Sequence, residues 1–327
     1  MRDESDSGVT RRDFLATAGL GMALAGVVPV LPAQPHQTSS IPRREFGKTG
    51  VKVPIIGVGT APAGFRSRME AAKFYSECLD RGVNYFDTAP EFAGYGTAQV
   101  ALGEVLKTRR QEAFVVTKCW EPDGEKALAL LKKNLQELQT DRADVVYAHS
   151  IGADNMDPKA ILGAKGVLPA LAKAQRDGLV RLIGVSGHNR PARFLQVLRE
   201  FEIQVMMNAV SFVARHIYEF ETKVWPEARK RGVALAAMKV YGGIVGGQQK
   251  PKGARVAEDD LHAAFRYAQG LPGISVVVLG MHDRDELVRN MEWAQKYEPL
   301  SDKELSALLS RGKELAARWG EVYGPIV

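Results

Sequence analysis

The feature of this sequence that most constrains its fold is an alternation of short β-branched runs with amphipathic segments of helical length. The runs are apolar along their whole length, which is typical of strands that are buried on both faces of a parallel sheet. Helical patterns lie between them, and one of these closes on Gly178, as helices commonly do. The predicted strands are residues 55–60, 84–89, 113–118, 144–149, 180–187, 204–212, 233–239 and 275–280.

Eight such β/α units in roughly 250 residues fit a closed barrel better than an open, doubly wound sheet. An open sheet that binds dinucleotides would carry a glycine fingerprint, and the nearest match, residues 19–21 (GLG), lies in an apolar N-terminal run. We therefore predict an α/β fold in which residues 44–327 form a (β/α)8 TIM barrel. A capping-box pattern at residues 301–304 predicts a C-terminal helix that ends near Trp319.

The first 33 residues have a composition typical of a twin-arginine (Tat) export signal. Arg11 and Arg12 precede a Gly/Ala-rich apolar run over residues 16–31, and Ala33 offers a small residue for cleavage. We expect this segment to direct export through the Tat translocase to the periplasm, with residues 34–43 as a linker. An uncleaved anchor and an amphipathic helix with an incidental arginine pair are the alternatives.

Charge and cysteine content argue against several classes of function. The formal net charge is +6, and the basic residues are scattered rather than clustered into a stripe, so we predict no nucleic-acid partner. Cys78 and Cys119 are the two cysteines and no CxxC motif occurs. The sequence therefore indicates neither an iron–sulfur cluster nor a structural zinc, and we predict no metal site and two buried thiols.

Polar residues stand at the carboxyl ends of consecutive predicted strands. Asp87, Lys118 and His149 end the second, third and fourth strands, and Ser186 and Asn208 lie near the ends of the fifth and sixth. Each alone has a structural explanation, such as a helix cap or a hydrogen-bonded histidine in the core. Because active sites of such barrels lie at the carboxyl ends of the strands, we expect the aspartate, lysine and histidine to converge on one functional site.

Several segments resemble the aldo-keto reductase family. Residues 44–54 (REFGKTGVKVP) resemble its opening β-hairpin, which caps the bottom of the barrel. Residues 82–89 (GVNYFDTA) resemble its second strand, and VTK, AH and IGVS, ending at Lys118, His149 and Ser186, resemble its third to fifth strands. The likeness extends to about Trp293. It implies a (β/α)8 barrel with an N-terminal β-hairpin and an NAD(P)H-dependent oxidoreductase.

The resemblance also implies a chemistry for the strand-end residues. In the family a hydride passes from a nicotinamide to a carbonyl, here of an aldehyde, ketone or sugar, while a tyrosine hydroxyl donates the proton. Lys118 and Asp87 match the residues that tune this hydroxyl, and His149 matches the one that orients the carbonyl. A phenol has a pKa near 10, and we expect a neighbouring ammonium to lower it toward the working range.

The position of the tyrosine is ambiguous in this sequence. In the family it lies five residues after the aspartate, and that place is held by Phe92, which has no proton to donate. Residues 95–103 (YGTAQVALG) resemble the family's Tyr-Gly-x-Ser-Glu-x-x-Leu-Gly, which makes Tyr95 the acid and leaves three extra loop residues. We favour Tyr95. If Phe92 takes the acid's place, the chain binds a cofactor with little ordinary carbonyl reductase activity.

The residues implied to hold the nicotinamide partly depart from the family pattern. Ser186 matches the residue that hydrogen-bonds the carboxamide, but its usual Asn neighbour is Gly187. Asn208 begins a segment where the family commonly has Asn-Gln. Met238 stands where a tyrosine often stacks on the ring, and its thioether is a soft surface that can pack there. A purely structural role for Met238 in the core is the alternative.

Two glycine-containing segments are expected to meet the rest of the cofactor. After the seventh strand, the backbone N–H groups of Gly242 and Gly243 can approach a pyrophosphate, although a flexible connector is the alternative. Residues 280–290 resemble the family's adenosine-binding segment, with Gly280, Arg284 and Asn290 as predicted contacts. Glu286 stands where the family often has an arginine that clamps the 2′-phosphate, yet the resemblance still favours NADP(H) over NAD(H).

Three functions of different classes remain open. The favoured one is an exported oxidoreductase with Tyr95 as its acid. The second is a dinucleotide-binding sensor or regulatory protein, and the third is a lyase or epimerase in which Lys118 or His149 transfers a proton without net redox. Outside the cytoplasm no cofactor pool replaces a lost dinucleotide, so we expect a tightly held, recycled cofactor or an external redox partner.

Overall fold

The chain folds into a closed barrel of eight parallel strands preceded by a two-stranded hairpin, in a computed structural model that describes residues 40–243 and 254–327. The barrel strands follow one another in chain order, and the last pairs with the first. The predicted (β/α)8 barrel and hairpin are therefore confirmed. The strands are β1 (Arg43–Glu45), β2 (Lys52–Pro54), β3 (Ile56–Gly59), β4 (Tyr85–Asp87), β5 (Phe114–Cys119), β6 (Ala143–Ala148), β7 (Val180–Gly187), β8 (Val205–Ala209), β9 (Ala234–Met238) and β10 (Ile274–Gly280).

Helices cover the outer face of the barrel. The predicted final helix begins at a capping box in which the Ser301 N–H donates to the Glu304 carboxylate at 2.8 Å, and it ends at Trp319. Within the described ranges no helix is long and apolar enough to cross a bilayer. The helices are α1 (Ala61–Gly64), α2 (Arg68–Asp80), α3 (Ala98–Arg109), α4 (Gly124–Glu137), α5 (Pro158–Leu162), α6 (Val167–Arg176), α7 (Pro191–Glu200), α8 (Trp225–Lys230), α9 (Leu261–Gln269), α10 (Arg284–Gln295) and α11 (Asp302–Trp319).

The hairpin closes the amino-terminal end of the barrel. Phe46, between β1 and β2, is fully buried and packs edge-on against Phe114 and Tyr85, at centroid distances of 5.6 and 6.1 Å. Such edge-to-face pairs add to the free energy of burying three aromatic rings. Because side chains fill this end of the barrel, we expect the active site at the opposite end, where the strands have their carboxyl termini.

Several predicted boundaries shift in the structure. The sixth predicted strand, residues 204–212, ends at Ala209, and the Ser211 hydroxyl accepts a hydrogen bond from the Ala214 N–H as the chain turns.

Cys78 and Cys119 are buried thiols, as predicted. The proposed export signal, most of the linker and residues 244–253 of the glycine-rich loop lie outside the described residues.

Candidate active site

The strand-end aspartate and lysine form a buried ion pair at the open end of the barrel. Asp87 ends β4 and Lys118 is the penultimate residue of β5, the neighbouring strand. The Lys118 Nζ lies 2.8 Å from the Asp87 Oδ2 and also donates to the Thr88 carbonyl at 2.8 Å. The Lys118 side chain is 1% exposed and the Asp87 side chain is 4% exposed. A pair so deeply buried needs both partners, because either charge alone would be poorly solvated.

Tyr95 brings its hydroxyl to this ion pair. The hydroxyl accepts from the Lys118 Nζ at 3.0 Å and donates to the Asp87 Oδ2 at 3.4 Å. Phe92, the other ring that the sequence offered, is 58% exposed on a short 3₁₀ turn. Of the two rings, Tyr95 is therefore the one that contacts the lysine and the aspartate.

Glycines shape the loop that carries Tyr95. A Cβ on Gly64 would lie 2.2 Å from the Tyr95 carbonyl oxygen, so no larger residue fits there without a backbone shift. Gly96 has a φ of +51°, which glycine adopts at low cost. The Thr97 N–H donates to the Gly64 carbonyl at 2.9 Å. These contacts dock the loop against α1 and lead directly into α3.

Burial governs the ionisation of this cluster. Burial raises the pKa of Asp87 and lowers the pKa of Lys118, although each partner's charge opposes the other's shift. Burial, and after it the Asp87 carboxylate, raise the pKa of Tyr95 well above its ordinary value. The expectation that the ammonium lowers this pKa is wrong for this arrangement, because desolvation and the carboxylate dominate. Tyr95 is therefore a protonated phenol, the form that can donate.

His149 lies beside this cluster, directly after β6. Its Nδ1 is 2.8 Å from the Ser186 Oγ, and burial, with Lys118 next, lowers its pKa well below the ordinary value. The ring is therefore neutral. If the Ser186 O–H donates to Nδ1, the ring proton resides on Nε2, which is then a donor for a carbonyl oxygen. Ser186, predicted as a cofactor contact, is thus engaged with His149.

Asn208 and Met238, the two other predicted nicotinamide contacts, are buried residues near the ends of β8 and β9. The Asn208 Oδ1 accepts from the Trp225 Nε1 at 2.9 Å, while its buried Nδ2 has no hydrogen-bond partner within the described part of the chain. A buried donor without a partner is costly to the stability of the fold. Met238 is 7% exposed and packs with the side chains of the barrel interior.

The two glycines predicted to meet the pyrophosphate use their N–H groups within the chain. The Gly242 N–H donates to the Lys239 carbonyl at 2.8 Å, and the Gly243 N–H donates to the Ala254 carbonyl at 2.8 Å. The predicted N–H contacts to pyrophosphate therefore do not fit this arrangement, because those donors are already hydrogen-bonded.

The residues predicted to meet the adenosine lie around the start of α10. Gly280 ends β10 at an exposed position. The Arg284 Nε is 3.2 Å from the Glu77 Oε1, and the buried Asn290 Oδ1 accepts from the Tyr241 hydroxyl at 3.1 Å. Both side chains thus have partners in the protein.

Lys239 and His188 are mouth residues to which sequence reasoning gave no role. Lys239 follows β9, and burial lowers its pKa to about 8. The buried ring of His188 lies 6.1 Å from the His149 ring and 5.9 Å from the Tyr323 ring. The sequence does contain a signal for Lys239, because this residue stands at the carboxyl end of a predicted strand, as Lys118 does.

A buried amide network ties the Tyr95 loop to β5. The Thr117 hydroxyl donates to the Gln99 Oε1 at 2.6 Å, and the Gln99 Nε2 donates to the Asn134 Oδ1 at 3.1 Å. The Asn134 Nδ2 in turn donates to the Lys118 carbonyl at 2.9 Å. Since Gln99 lies in the first turn of α3, the network links the helix after Tyr95 to the strand that bears Lys118.

We expect Gln99→Leu to lower the free energy of unfolding by about 1–3 kcal/mol, because it leaves the Thr117 and Asn134 groups buried without partners. Urea unfolding of this variant beside Gln136→Leu, a matched change at an exposed position of α4, measures the effect. Equal midpoints for the two variants would show that the network adds no stability.

Comparison with known proteins gives one family. Residues 55–260 match the aldo/keto reductase family. L-galactose dehydrogenase of Arabidopsis thaliana is 29% identical in an alignment 162 residues long that covers 46% of this chain and 49% of that protein, so the match spans about half of that relative. D-threo-aldose 1-dehydrogenase of a Pseudomonas species is 25% identical in an alignment 238 residues long that covers 62% of this chain and 70% of that protein.

A solved structure shares the fold. The holo form of aldo-keto reductase AKR11C1 from Bacillus halodurans gives a TM-score of 0.67 at 21% identity, covering 83% of this chain and 96% of that one. Its likeness concerns the barrel alone. The family match, in contrast, extends over more than half of the chain and includes Asp87, Tyr95, Lys118 and His149. The chain therefore belongs to the aldo/keto reductase family.

Proposed function

We propose that this protein is an exported NAD(P)H-dependent oxidoreductase that reduces the carbonyl of an aldehyde, ketone or sugar, with Tyr95 as proton donor. The observation that carries the proposal is the contact of the Tyr95 hydroxyl with Lys118 and Asp87 at the mouth of the barrel. The names of the two relatives, which refer to L-galactose and to an aldose, support a sugar as substrate.

The residues present fit a nicotinamide at the inner end of the site. The Asn208 Nδ2, which has no partner in the part of the chain that the structure describes, matches a carboxamide oxygen in hydrogen-bonding character. Gly280, at the exposed end of β10, has no side chain that would obstruct a ligand there. When bound, the reduced cofactor supplies the hydride that carbonyl reduction requires.

The side chains of the chain supply the rest of the chemistry. His149, as the Nε2–H tautomer, donates a hydrogen bond that orients the carbonyl, and the Tyr95 hydroxyl gives its proton to the carbonyl oxygen. The phenolate that remains lies beside the Lys118 ammonium, since the two atoms are 3.0 Å apart. The Lys118 ammonium is already in position before the reaction and stabilises the negative charge of the phenolate. Such preorganised charges are the usual source of electrostatic catalysis.

An aldehyde and sugar panel with NADPH and NADH tests this function. We expect cofactor oxidation with an equal yield of alcohol. Product formation without net cofactor oxidation would instead identify a lyase or epimerase. Cofactor binding without turnover across the whole panel would identify a sensor or regulatory protein.

We propose NADP(H) as the preferred cofactor, on the family resemblance, and Glu286 as a residue that weakens this preference. The Glu286 Oε2 accepts from the His282 N–H at 2.7 Å at the start of α10, so its charge is held near the expected ribose position. We expect Glu286→Gln, which keeps an acceptor, to raise the NADPH-to-NADH ratio of kcat/KM by about tenfold. An unchanged ratio would remove Glu286 from cofactor selection.

We propose that residues 1–33 direct export through the Tat pathway to the periplasm, where the protein keeps its cofactor bound or exchanges electrons with a redox partner. Tat systems carry folded proteins, so a dinucleotide can be bound before transport. Gentle isolation from the periplasm should recover protein with dinucleotide bound. Recovery of cofactor-free protein would contradict the proposal that the protein retains its cofactor after export.

A further inference from the structure

A row of aromatic rings extends from His149 to the C-terminal segment. The Trp120 and His188 rings lie 6.0 and 6.1 Å from the His149 ring, and the Tyr323 ring lies 5.9 Å from the His188 ring. Trp120 directly follows β5, and His188 directly follows β7. Because the barrel strands are parallel, both residues stand at the same end of the barrel as Lys118. The row therefore borders the candidate site for the carbonyl.

Contacts within the fold hold Tyr323 in this row. The Tyr323 N–H donates to the Tyr218 hydroxyl at 2.7 Å, and that hydroxyl donates to the Gly324 carbonyl at 3.0 Å. The two tyrosine rings stack with their centroids 5.7 Å apart. The Asn189 Nδ2 donates to the Pro325 carbonyl at 3.2 Å, which ties the segment to the loop after β7. The position of the Tyr323 ring is thus fixed by the protein itself.

Two buried donors of this row have no hydrogen-bond partner in the described part of the chain. They are the Trp120 Nε1 and the Tyr323 hydroxyl. The Tyr323 side chain is deeply buried, with an exposed fraction of 7% for the residue. An unpaired buried donor costs about 1–3 kcal/mol, and such groups are rare in folded proteins. Two of them on rings that flank His149 and His188 therefore call for an explanation.

The side chains of this row carry no charge. Burial lowers the pKa of His188 to about 3 and lowers the pKa of His149 well below its ordinary value. Burial also raises the pKa of the Tyr323 hydroxyl, and the Trp120 indole does not ionise. Aromatic walls with a few placed donors suit a neutral ligand that has an apolar framework and oxygen acceptors. Hydroxyl groups on a carbon chain have this character.

We propose that Trp120 and Tyr323 select carbonyl substrates that bear hydroxyl groups, as open-chain sugars do, by donating hydrogen bonds to the hydroxyl oxygens. The carbonyl of that substrate lies at Tyr95 and His149. This proposal rests on the proposed function and deepens it by naming the residues that recognise the substrate. The two donors take no part in the redox step, in which hydride and proton add to the carbonyl alone. An analogue without hydroxyl groups leaves both donors buried and unpaired, which is how a polar site rejects such an analogue.

A matched pair of aldehydes tests the proposal in the full chain. Erythrose and butanal both have four carbons and a terminal aldehyde, but only erythrose bears hydroxyl groups. The readout is the ratio of their kcat/KM values, so a general effect on catalysis cancels. We expect Tyr323→Phe, which removes one oxygen and keeps the ring, to lower the erythrose-to-butanal ratio by about tenfold. Trp120→Phe, which removes the indole N–H, should lower the ratio by a similar factor.

The control is Tyr297→Phe, which removes a hydroxyl at the opposite end of the barrel. The Tyr297 ring lies there under the Arg44 guanidinium of β1, at 5.6 Å from the ring centroid. This change should leave the ratio at its wild-type value. An unchanged ratio in Tyr323→Phe or in Trp120→Phe would overturn the role proposed for that residue. An equal loss with both aldehydes is such a result, and would show that the ring only shapes the pocket.

Failure of the proposed function would be visible separately. If the wild type oxidises cofactor with none of the carbonyl compounds, that function is wrong, and calorimetric titration with erythritol then decides the role of the two donors. Binding of erythritol by the wild type that weakens in Tyr323→Phe and in Trp120→Phe supports a site for hydroxyl groups. Equal binding by the three proteins, or binding by none of them, overturns it.

Discussion

Tyr95→Phe should lower kcat for carbonyl reduction by about 10²- to 10⁴-fold, the usual contribution of a positioned general acid. The change removes one oxygen, and with it the only proton that the ring can give to the carbonyl. The ring itself remains, so the loop packing and the cofactor site are preserved. Steady-state kinetics together with a fluorescence titration of NADPH separate the loss of chemistry from a loss of binding.

Phe92 provides the matched control for this prediction. Phe92→Leu changes an aromatic ring on the same loop, but that ring is 58% exposed and has no assigned role at the ion pair. We expect its kcat to stay within a few-fold of wild type, since surface substitutions are usually mild. A wild-type rate for Tyr95→Phe would exclude Tyr95 as the acid, and a large loss for Phe92→Leu would show that the Phe92 ring contributes to the active site.

Lys118→Met should lower the free energy of unfolding by about 3–5 kcal/mol, the usual effect of removing one partner from a buried ion pair. The Asp87 carboxylate then loses its 2.8 Å partner, and its Oδ1 already lacks a hydrogen-bond partner among residues 40–243 and 254–327. The Tyr95 hydroxyl loses its ammonium neighbour as well, so kcat should fall sharply. Urea unfolding measures the stability, and the aldehyde assay measures the rate.

Lowering the pH should restore part of the stability that Lys118→Met loses. Without the ammonium, burial outweighs the smaller opposing effects of Tyr95 and Lys239 and raises the pKa of Asp87 in the folded state above the unfolded value. The folded variant then binds the proton more tightly, so its stability rises as the pH falls through that range. Asp87→Asn combined with Lys118→Met should recover part of the loss at neutral pH.

Lys133→Met is the control for the loss of a lysine. Lys133 pairs with Glu137 at 3.7 Å on the surface of α4, and its side chain is 65% exposed. Exposed pairs contribute about 0–1 kcal/mol, so this variant should unfold close to wild type. A Lys118→Met protein as stable as the control would show that the buried pair is not a stabilising feature.

The barrel and the convergence of Asp87, Lys118 and His149 could be predicted from the sequence because both follow from local patterns. Apolar runs of strand length repeat with helical segments between them, and parallel strands present their carboxyl ends at one mouth. Position at a strand's end is thus enough to bring these residues together. No knowledge of distant contacts is required for that step.

The remaining features depend on contacts between segments that are distant in sequence. The choice between Tyr95 and Phe92 rests on how a glycine-rich loop docks on Gly64, which residue counting does not determine. The hydrogen bond between Ser186 and His149, which directly follows the neighbouring strand β6, could not be predicted from the sequence either. The direction of the Tyr95 pKa was also wrong, since it depends on burial that only the folded chain shows.

The measurement that tests the central claim most directly is a single-turnover reaction of protein already loaded with NADPH. Rapid mixing of wild type and Tyr95→Phe with an aldehyde that the wild type reduces follows cofactor oxidation without product release. We predict rapid oxidation in the wild type and a rate about 10²- to 10⁴-fold slower in the variant. Equal rates in the two proteins would contradict Tyr95 as the proton donor.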